Sequence, residues 1–109
     1  MSIFIRPPII LDETGAIDVF GSIEAAESYM EPIDVEDNRY VAFDSEGRLL
    51  RILTTPNVTL EAAEEVPNHV EQVREILIRL LRYCGSTDPD LSSLPLKELV
   101  QKSLPFKSR

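Results

Sequence analysis

Apolar side chains recur at helical spacing over residues 70–84, which is the strongest periodic signal in the chain. The members of this apolar stripe are Val70, Val73, Ile76, Leu77, Leu80, Leu81 and Cys84. On a helical wheel they cover an arc roughly 100° to 140° wide. Asn68 and Glu71 allow a capping pair at the start, and Gly85 closes the end. The pattern predicts a long amphipathic helix with one buried face.

Short apolar runs before this helix are typical of strands. Residues 40–43 and 49–53 flank the sequence DSEG, in which Gly47 suits a left-handed turn position, and residues 58–60 alternate apolar with polar. Residues 9–11 and a run ending at Phe20 are joined by DETG, where Gly15 suits a positive φ. These runs predict an antiparallel meander with an opening hairpin.

A shorter helical pattern lies between the hairpin and the meander. Ser22 is a suitable N-cap, Glu24 lies in the first turn, where the helix dipole favours a carboxylate, and Pro32 is expected to end the helix. The apolar arc consists of Ile23, Ala25, Ala26, Tyr29 and Met30. The opposite arc consists of Glu24, Glu27, Ser28 and Glu31. We therefore expect a two-faced helix with an acidic outer side.

These elements together predict an α+β fold in which an antiparallel meander sheet of four to five strands packs against one long C-terminal helix. The shorter acidic helix lies near the N-terminus. A chain of 109 residues suits one domain with one modest core. We assign residues 1–85 to that domain and residues 86–109 to a C-terminal tail, in which residues 96–101 allow a short helix.

Charge is distributed unevenly along the chain. The formal net charge is −8, yet residues 1–66 carry −10 and residues 67–109 carry +2. Between Pro7 and Asn38 there are nine acidic residues and no basic one. Such a field repels nucleic acid and anionic membranes and attracts a basic protein. We therefore predict a basic protein partner and neither nucleic acid nor membrane as a ligand.

The sequence favours a cytoplasmic location. It has no apolar run of about 18 residues and no recognisable export signal at its start. Its single cysteine, Cys84, cannot form an internal disulfide and lies on the apolar stripe, so we expect it in the core.

No familiar catalytic or cofactor motif is present. The stretch DVEDN at residues 34–38 groups oxygen ligands but lacks the glycine and the distant glutamate of a calcium loop. His69 and Cys84 are separated by about 22 Å if the helix rises about 1.5 Å per residue, so they cannot form a dyad. We expect a protein that is not an enzyme, with no catalytic residues, no cofactor and no metal.

Three stretches, SIEAAESYMEP, YVAFDSEGRLL and the glutamate-rich entry to the last helix, resemble small acidic bacterial proteins encoded beside secreted polymorphic toxins. The resemblance covers roughly residues 9–82. It implies an immunity protein, meaning a cytoplasmic antidote that neutralises one cognate toxin by direct binding. Such toxins are frequently basic nucleases, whose phosphate-binding groove a carboxylate-rich patch can occupy.

The acidic helix and the loop that we expect after it, residues 24–37, form the candidate partner-binding surface. The candidate residues are Glu24, Glu27, Glu31, Asp34, Glu36, Asp37 and Tyr29. A plain solvated helix face also explains the carboxylates. Two other functional classes stay open: a small enzyme with an unrecognised site, and a homodimeric structural or assembly subunit joined through an exposed strand such as residues 9–11.

Overall fold

The structure, a computed structural model, describes residues 4–107 and has the predicted α+β composition. The strands are β1 (Ile9–Glu13), β2 (Ala16–Phe20), β3 (Tyr40–Phe43), β4 (Leu49–Leu53) and β5 (Thr59–Ala62). The α-helices are α1 (Ile23–Tyr29), α2 (Pro32–Glu36), α3 (Val70–Tyr83) and α4 (Leu96–Ser103). Short 3-10 helices cover Leu91–Ser93 and Leu104–Phe106.

The five strands form one antiparallel sheet in the order β2-β1-β3-β4-β5. Strands β3 to β5 form a meander, but β1 is inserted between β2 and β3, where Ile10 lies opposite both Val19 and Phe43. The expectation that residues 9–11 could join two copies is therefore wrong, because both edges of β1 are already paired. The edges of the sheet are β2 and β5.

Helices cover both faces of the sheet, whereas the sequence predicts one covering helix. Successive residues of a strand point to opposite faces. Ile10 accordingly packs in a cluster with Val73 and Leu77 of α3, while Leu11 packs in a second cluster with Ala26 of α1. The molecule thus has three layers, with α3 and α4 on one face of the sheet and α1 and α2 on the other.

The long helix α3, predicted to be the C-terminal helix of the fold, is followed by a further helix, α4. Residues after it add Leu91, Leu99 and Val100 to the same buried cluster, so the predicted tail packs against α3. Cys84 is exposed as the C-cap of α3, and the prediction that it lies in the core is wrong. The buried part of the apolar stripe ends at Leu81, one turn earlier.

A buried ion pair organises the DSEG hairpin between β3 and β4. Asp44 is fully buried and accepts hydrogen bonds from the backbone N–H groups of Glu46 and Arg48. The Arg48 guanidinium lies 2.6 Å from Asp44 and also donates to the carbonyls of Phe4 and Glu65. A buried charge needs such compensation. These contacts hold the N-terminal segment and the β5–α3 loop against the hairpin.

Gly47 adopts the predicted positive φ, +87°, in this hairpin. The hairpin lies against the start of α3, since the His69 N–H donates to the Gly47 carbonyl at 2.9 Å. A Cβ atom at position 47 would lie 2.7 Å from the Val70 Cα. Glycine is therefore required here both by the backbone conformation and by the close approach of α3.

Glu64 holds the entry to α3 in place of the expected Asn68–Glu71 capping pair, which does not form. Its carboxylate accepts the Leu49 N–H at 3.1 Å and the Asn68 N–H at 2.7 Å. It also contacts the His69 Nδ1 at 3.0 Å. Desolvation raises the pKa of Glu64, but these hydrogen bonds outweigh it and hold the pKa below its ordinary value.

Among the helices of residues 4–107, none combines the length and the apolar character needed to cross a lipid bilayer.

Candidate partner-binding surface

Helix α1 is positioned by the predicted N-cap and is followed directly by a second short helix. The Ser22 Oγ accepts the Ala25 N–H at 3.1 Å, which confirms the cap. After the C-cap residue Met30, Pro32 occupies the first turn of α2 instead of leading into a loop. A proline is tolerated there because that N–H has no partner within the helix. Residues 32–36, expected to be a loop, are therefore helical.

The candidate carboxylates lie on α1, on α2 and at the ends of α2, all in the layer that covers one face of the sheet. We call this set, Glu24, Glu27, Glu31, Asp34, Glu36 and Asp37, the acidic surface. Glu27 and Asp34 are half-buried, whereas the other four are exposed. The structure therefore brings the residues together in one layer but gives them different surroundings.

Glu27 is bonded to the edge of the sheet. Its Oε2 accepts the backbone N–H of Leu60 in β5 at 2.8 Å. Because β5 is an edge strand, this bond satisfies a donor that would otherwise face solvent or another chain. Glu27 thus joins α1 to β5 and contributes less free charge to the acidic surface than its sequence position indicates.

Arg39 partly compensates two further carboxylates. After α2, Asn38 takes a left-handed φ of +57° and reverses the chain. The Arg39 Nε then lies 3.5 Å from the Asp34 Oδ1 and 4.0 Å from the Asp37 Oδ2. The Arg39 side chain is 54% exposed, so solvent screens both ion pairs. Sequence spacing did not reveal this pairing because Arg39 lies immediately beyond the acidic run.

Three members of the acidic surface carry charge without a counter-ion. Glu24, Glu31 and Glu36 are exposed and form no ion pair with any residue in the range 4–107. They are separated along α1 and α2, so their mutual repulsion is weakened by solvent. The uncompensated negative charge predicted from sequence is therefore present, but it is concentrated on these three residues.

Tyr29 packs α1 onto the sheet. Its ring lies 5.2 Å from that of Phe20 and 6.5 Å from that of Tyr40, measured between ring centroids. Its hydroxyl donates to the Glu13 Oε1 at 3.0 Å. This hydrogen bond, burial and the nearby charge of Asp18 raise the pKa of Tyr29 to about 12. The ring is half-buried, so a partner could reach only part of it.

Ile33 is an additional surface residue that the sequence analysis did not select. It lies on α2 and its side chain is 68% exposed. In the sequence it lies between Glu31, the N-cap residue of α2, and Glu36, one helical turn further on. Pro32 was the residue in the sequence that could have indicated this helix, because proline is common at the first position of a helix. Reading PIDVE as a helix places Ile33 and the half-buried Val35 on different sides of it.

Within the described residues, the acidic surface holds no cluster suited to a metal ion, and it lies apart from two grooves elsewhere on the molecule. In the part of the chain that the structure describes, no three His, Cys, Asp or Glu side chains are close enough to hold a metal ion. Two surface grooves, of about 630 Å³ and about 520 Å³, lie elsewhere, and no carboxylate of the acidic surface lines either one.

Comparison of the chain with protein-family models, with curated proteins and with solved structures finds no match. The residues of the acidic surface are therefore the basis for assigning a function.

Proposed function

We propose that this chain is a non-enzymatic binding protein whose acidic surface docks onto a basic protein partner. The observation that supports this most is the exposed Ile33, one helical turn from the uncompensated carboxylate Glu36. Protein interfaces commonly combine an apolar anchor, which loses water on binding, with surrounding charges that select the partner.

The two kinds of side chain would contribute differently to binding. Glu24, Glu31 and Glu36 would accelerate encounter with a basic partner, an effect that salt weakens because the Debye length is about 8 Å at physiological ionic strength. Burying Ile33 would slow dissociation, since full burial of such a side chain is worth about 1.5 to 3 kcal/mol. The affinity would then depend on both the carboxylates and Ile33. The salt dependence of the affinity would come from the carboxylates alone.

We further infer that the partner is a toxin domain and that this chain is its cytoplasmic antidote. The resemblance of residues 9–82 to immunity proteins supports this inference. The charge of the acidic surface is consistent with it, because a nuclease that binds phosphate presents lysine and arginine in its groove. Carboxylates that enter this groove would exclude the nucleic acid.

A charge-reversal experiment tests the docking surface. The variant Glu24→Lys, Glu31→Lys, Glu36→Lys is compared with Glu75→Lys, Asp90→Lys, Glu98→Lys, which changes three exposed carboxylates on the opposite layer. Both variants have the same net charge, and thermal unfolding checks that both fold. Binding to a candidate basic partner, captured from the native cell, is measured by calorimetry at low salt.

We expect the first variant to bind at least about tenfold more weakly, and the control to differ from wild type by no more than about threefold. Equal weakening in both variants would mean that only total charge matters, and unchanged binding in the first would rule out this surface.

A further inference from the structure

A groove of about 520 Å³ lies between the N-terminal segment and helix α4. Its walls are formed by residues 6–8, by the DSEG hairpin, by the start of α3 and by the first two turns of α4. Small-molecule sites in proteins typically have volumes of about 300 to 1,000 Å³. The groove is therefore large enough for a small ligand, and it shares no residue with the acidic surface.

The buried ion pair of Asp44 and Arg48 fixes two of these walls relative to each other. The Asp44 Oδ2 accepts the backbone N–H of Arg6 at 3.4 Å. The Ser45 N–H donates to the carbonyl of Arg6 at 2.9 Å. The N-terminal wall is thus held against the hairpin wall without a ligand. Binding would therefore require little further ordering of the chain, which favours affinity.

Apolar side chains form one part of the lining. Val100 of α4 is 7% exposed, and Leu96, Val70 and Pro8 are half-buried. Methylene groups of a ligand that pack against these side chains would leave water, and each of them would increase the affinity. This part of the groove is suited to an aliphatic group.

The charged part of the lining keeps one uncompensated base. The Glu46 Oε1 lies 3.4 Å from the Arg6 Nε and 3.2 Å from the Arg48 guanidinium. Since Arg48 also pairs with Asp44, these two bases balance two carboxylates. The Lys97 ammonium lines the same groove and forms no ion pair with any residue in the range 4–107. The lining is left with a net positive charge.

Lys97 and Gln101 can donate hydrogen bonds to the same ligand group. They lie one helical turn apart on α4, both are exposed, and both line the groove. The neighbouring carboxylate of Glu98 does not line it. Because salt screens charges separated by more than about 8 Å at physiological ionic strength, the nearest groups determine which ligand charge is favoured. These donors favour an anionic group such as a carboxylate.

We propose that this groove binds a small organic acid with an aliphatic chain. The carboxylate would accept hydrogen bonds from Lys97 and Gln101. The aliphatic chain would contact Val70, Leu96 and Val100. The groove and the acidic surface share no residue, so each site can be tested without the other.

The first test uses octanoate as the probe. Acetate, which lacks the aliphatic chain, and octylammonium, which carries the opposite charge, serve as controls. Titration followed by NMR of the ¹⁵N-labelled full chain reports both affinity and location. We expect octanoate to bind with Kd below about 5 mM and to shift the amides of residues 45–46 and 96–101. Both controls should bind at least about tenfold more weakly.

The second test uses matched variants of helix α4. Lys97→Glu should raise the Kd of octanoate by about tenfold, because it removes the donor and repels the carboxylate. Lys102→Glu should change the Kd by less than about twofold. Lys102 is a suitable control because it is exposed on the same helix and does not line the groove. The ¹⁵N spectrum of each variant checks that the chain is folded.

Several results would overturn this assignment. Equal binding of octanoate and octylammonium would remove the role of charge, and equal binding of acetate would remove the role of the apolar lining. Shifts confined to the groove beside Tyr83 and Phe106 would place octanoate there instead. Equal effects of Lys97→Glu and Lys102→Glu would show that only the total charge of the chain matters.

Discussion

Individual carboxylates of this protein perform different tasks, although the sequence presents them as similar acidic residues. Asp44, Glu64 and Glu27 accept backbone hydrogen bonds and hold loops or edges in place. Glu24 and Glu31 have no such contact with the described residues and remain available to a partner. The sequence predicted the excess of charge correctly. It could not distinguish the two groups, because the N–H donors come from distant segments that only the fold brings near.

At the residue scale, the lowered pKa of Glu64 leads us to predict that the stability of the folded chain depends on pH. Its pKa is lower in the folded chain than the ordinary value of 4.5, so its contribution to stability is complete above pH 4.5 and is lost as the pH falls through the folded pKa. Glu64→Gln removes this contribution. We expect the variant to be less stable than wild type at pH 6, with a difference that shrinks as the pH falls below 4.5.

Urea unfolding between pH 6 and pH 3 measures this difference. Glu75→Gln is the control, because Glu75 is exposed on α3 and forms no ion pair with the described residues. A stability difference between wild type and Glu64→Gln that stays constant over the acid range would show that Glu64 does not titrate as described.

At the scale of elements, periodic patterns predicted α3 and most strands. They did not predict the short helix α2 or the pairing of β1 with β3. Helix α3 covers Val70–Tyr83 because its apolar stripe repeats over many turns. Helix α2, Pro32–Glu36, was missed because it is too short for a periodic signal and begins with a proline that was interpreted as a stop. The pairing of β1 with β3 was also missed, since register between distant segments leaves no local signal.

The contact between the DSEG hairpin and α3 yields a prediction for two glycines. Gly47 and Gly85 both have positive φ, but an added Cβ would clash with Val70 only at position 47. Gly85→Ala should therefore lower the free energy of unfolding only by the cost of placing alanine at a positive φ, about 1 kcal/mol. Gly47→Ala also displaces the start of α3, so we expect a loss of about 2 to 4 kcal/mol in the free energy of unfolding.

Chemical denaturation of both variants measures the two losses. Equal losses would mean that the hairpin and α3 separate at little cost, and would contradict the close packing of Gly47 on Val70.

At the scale of the whole molecule, the two helical layers carry different surfaces on one sheet. The layer of α1 and α2 presents the acidic surface, and the layer of α3 and α4 borders a groove whose charged lining residues are Asp18 and Arg79. The groove could not be predicted, because it forms where an edge strand, a helix end and the last 3-10 helix meet.

The central claim is that the acidic surface, with Ile33 among its carboxylates, is the docking face for a basic protein. Amide hydrogen exchange of the chain, free and bound to a basic partner captured from the native cell, tests it most directly because no residue is changed. The account predicts that binding slows exchange in residues 23–37 and leaves β2 and the end of α3 unaffected. Slower exchange confined to other parts of the molecule, with residues 23–37 unchanged, would contradict it.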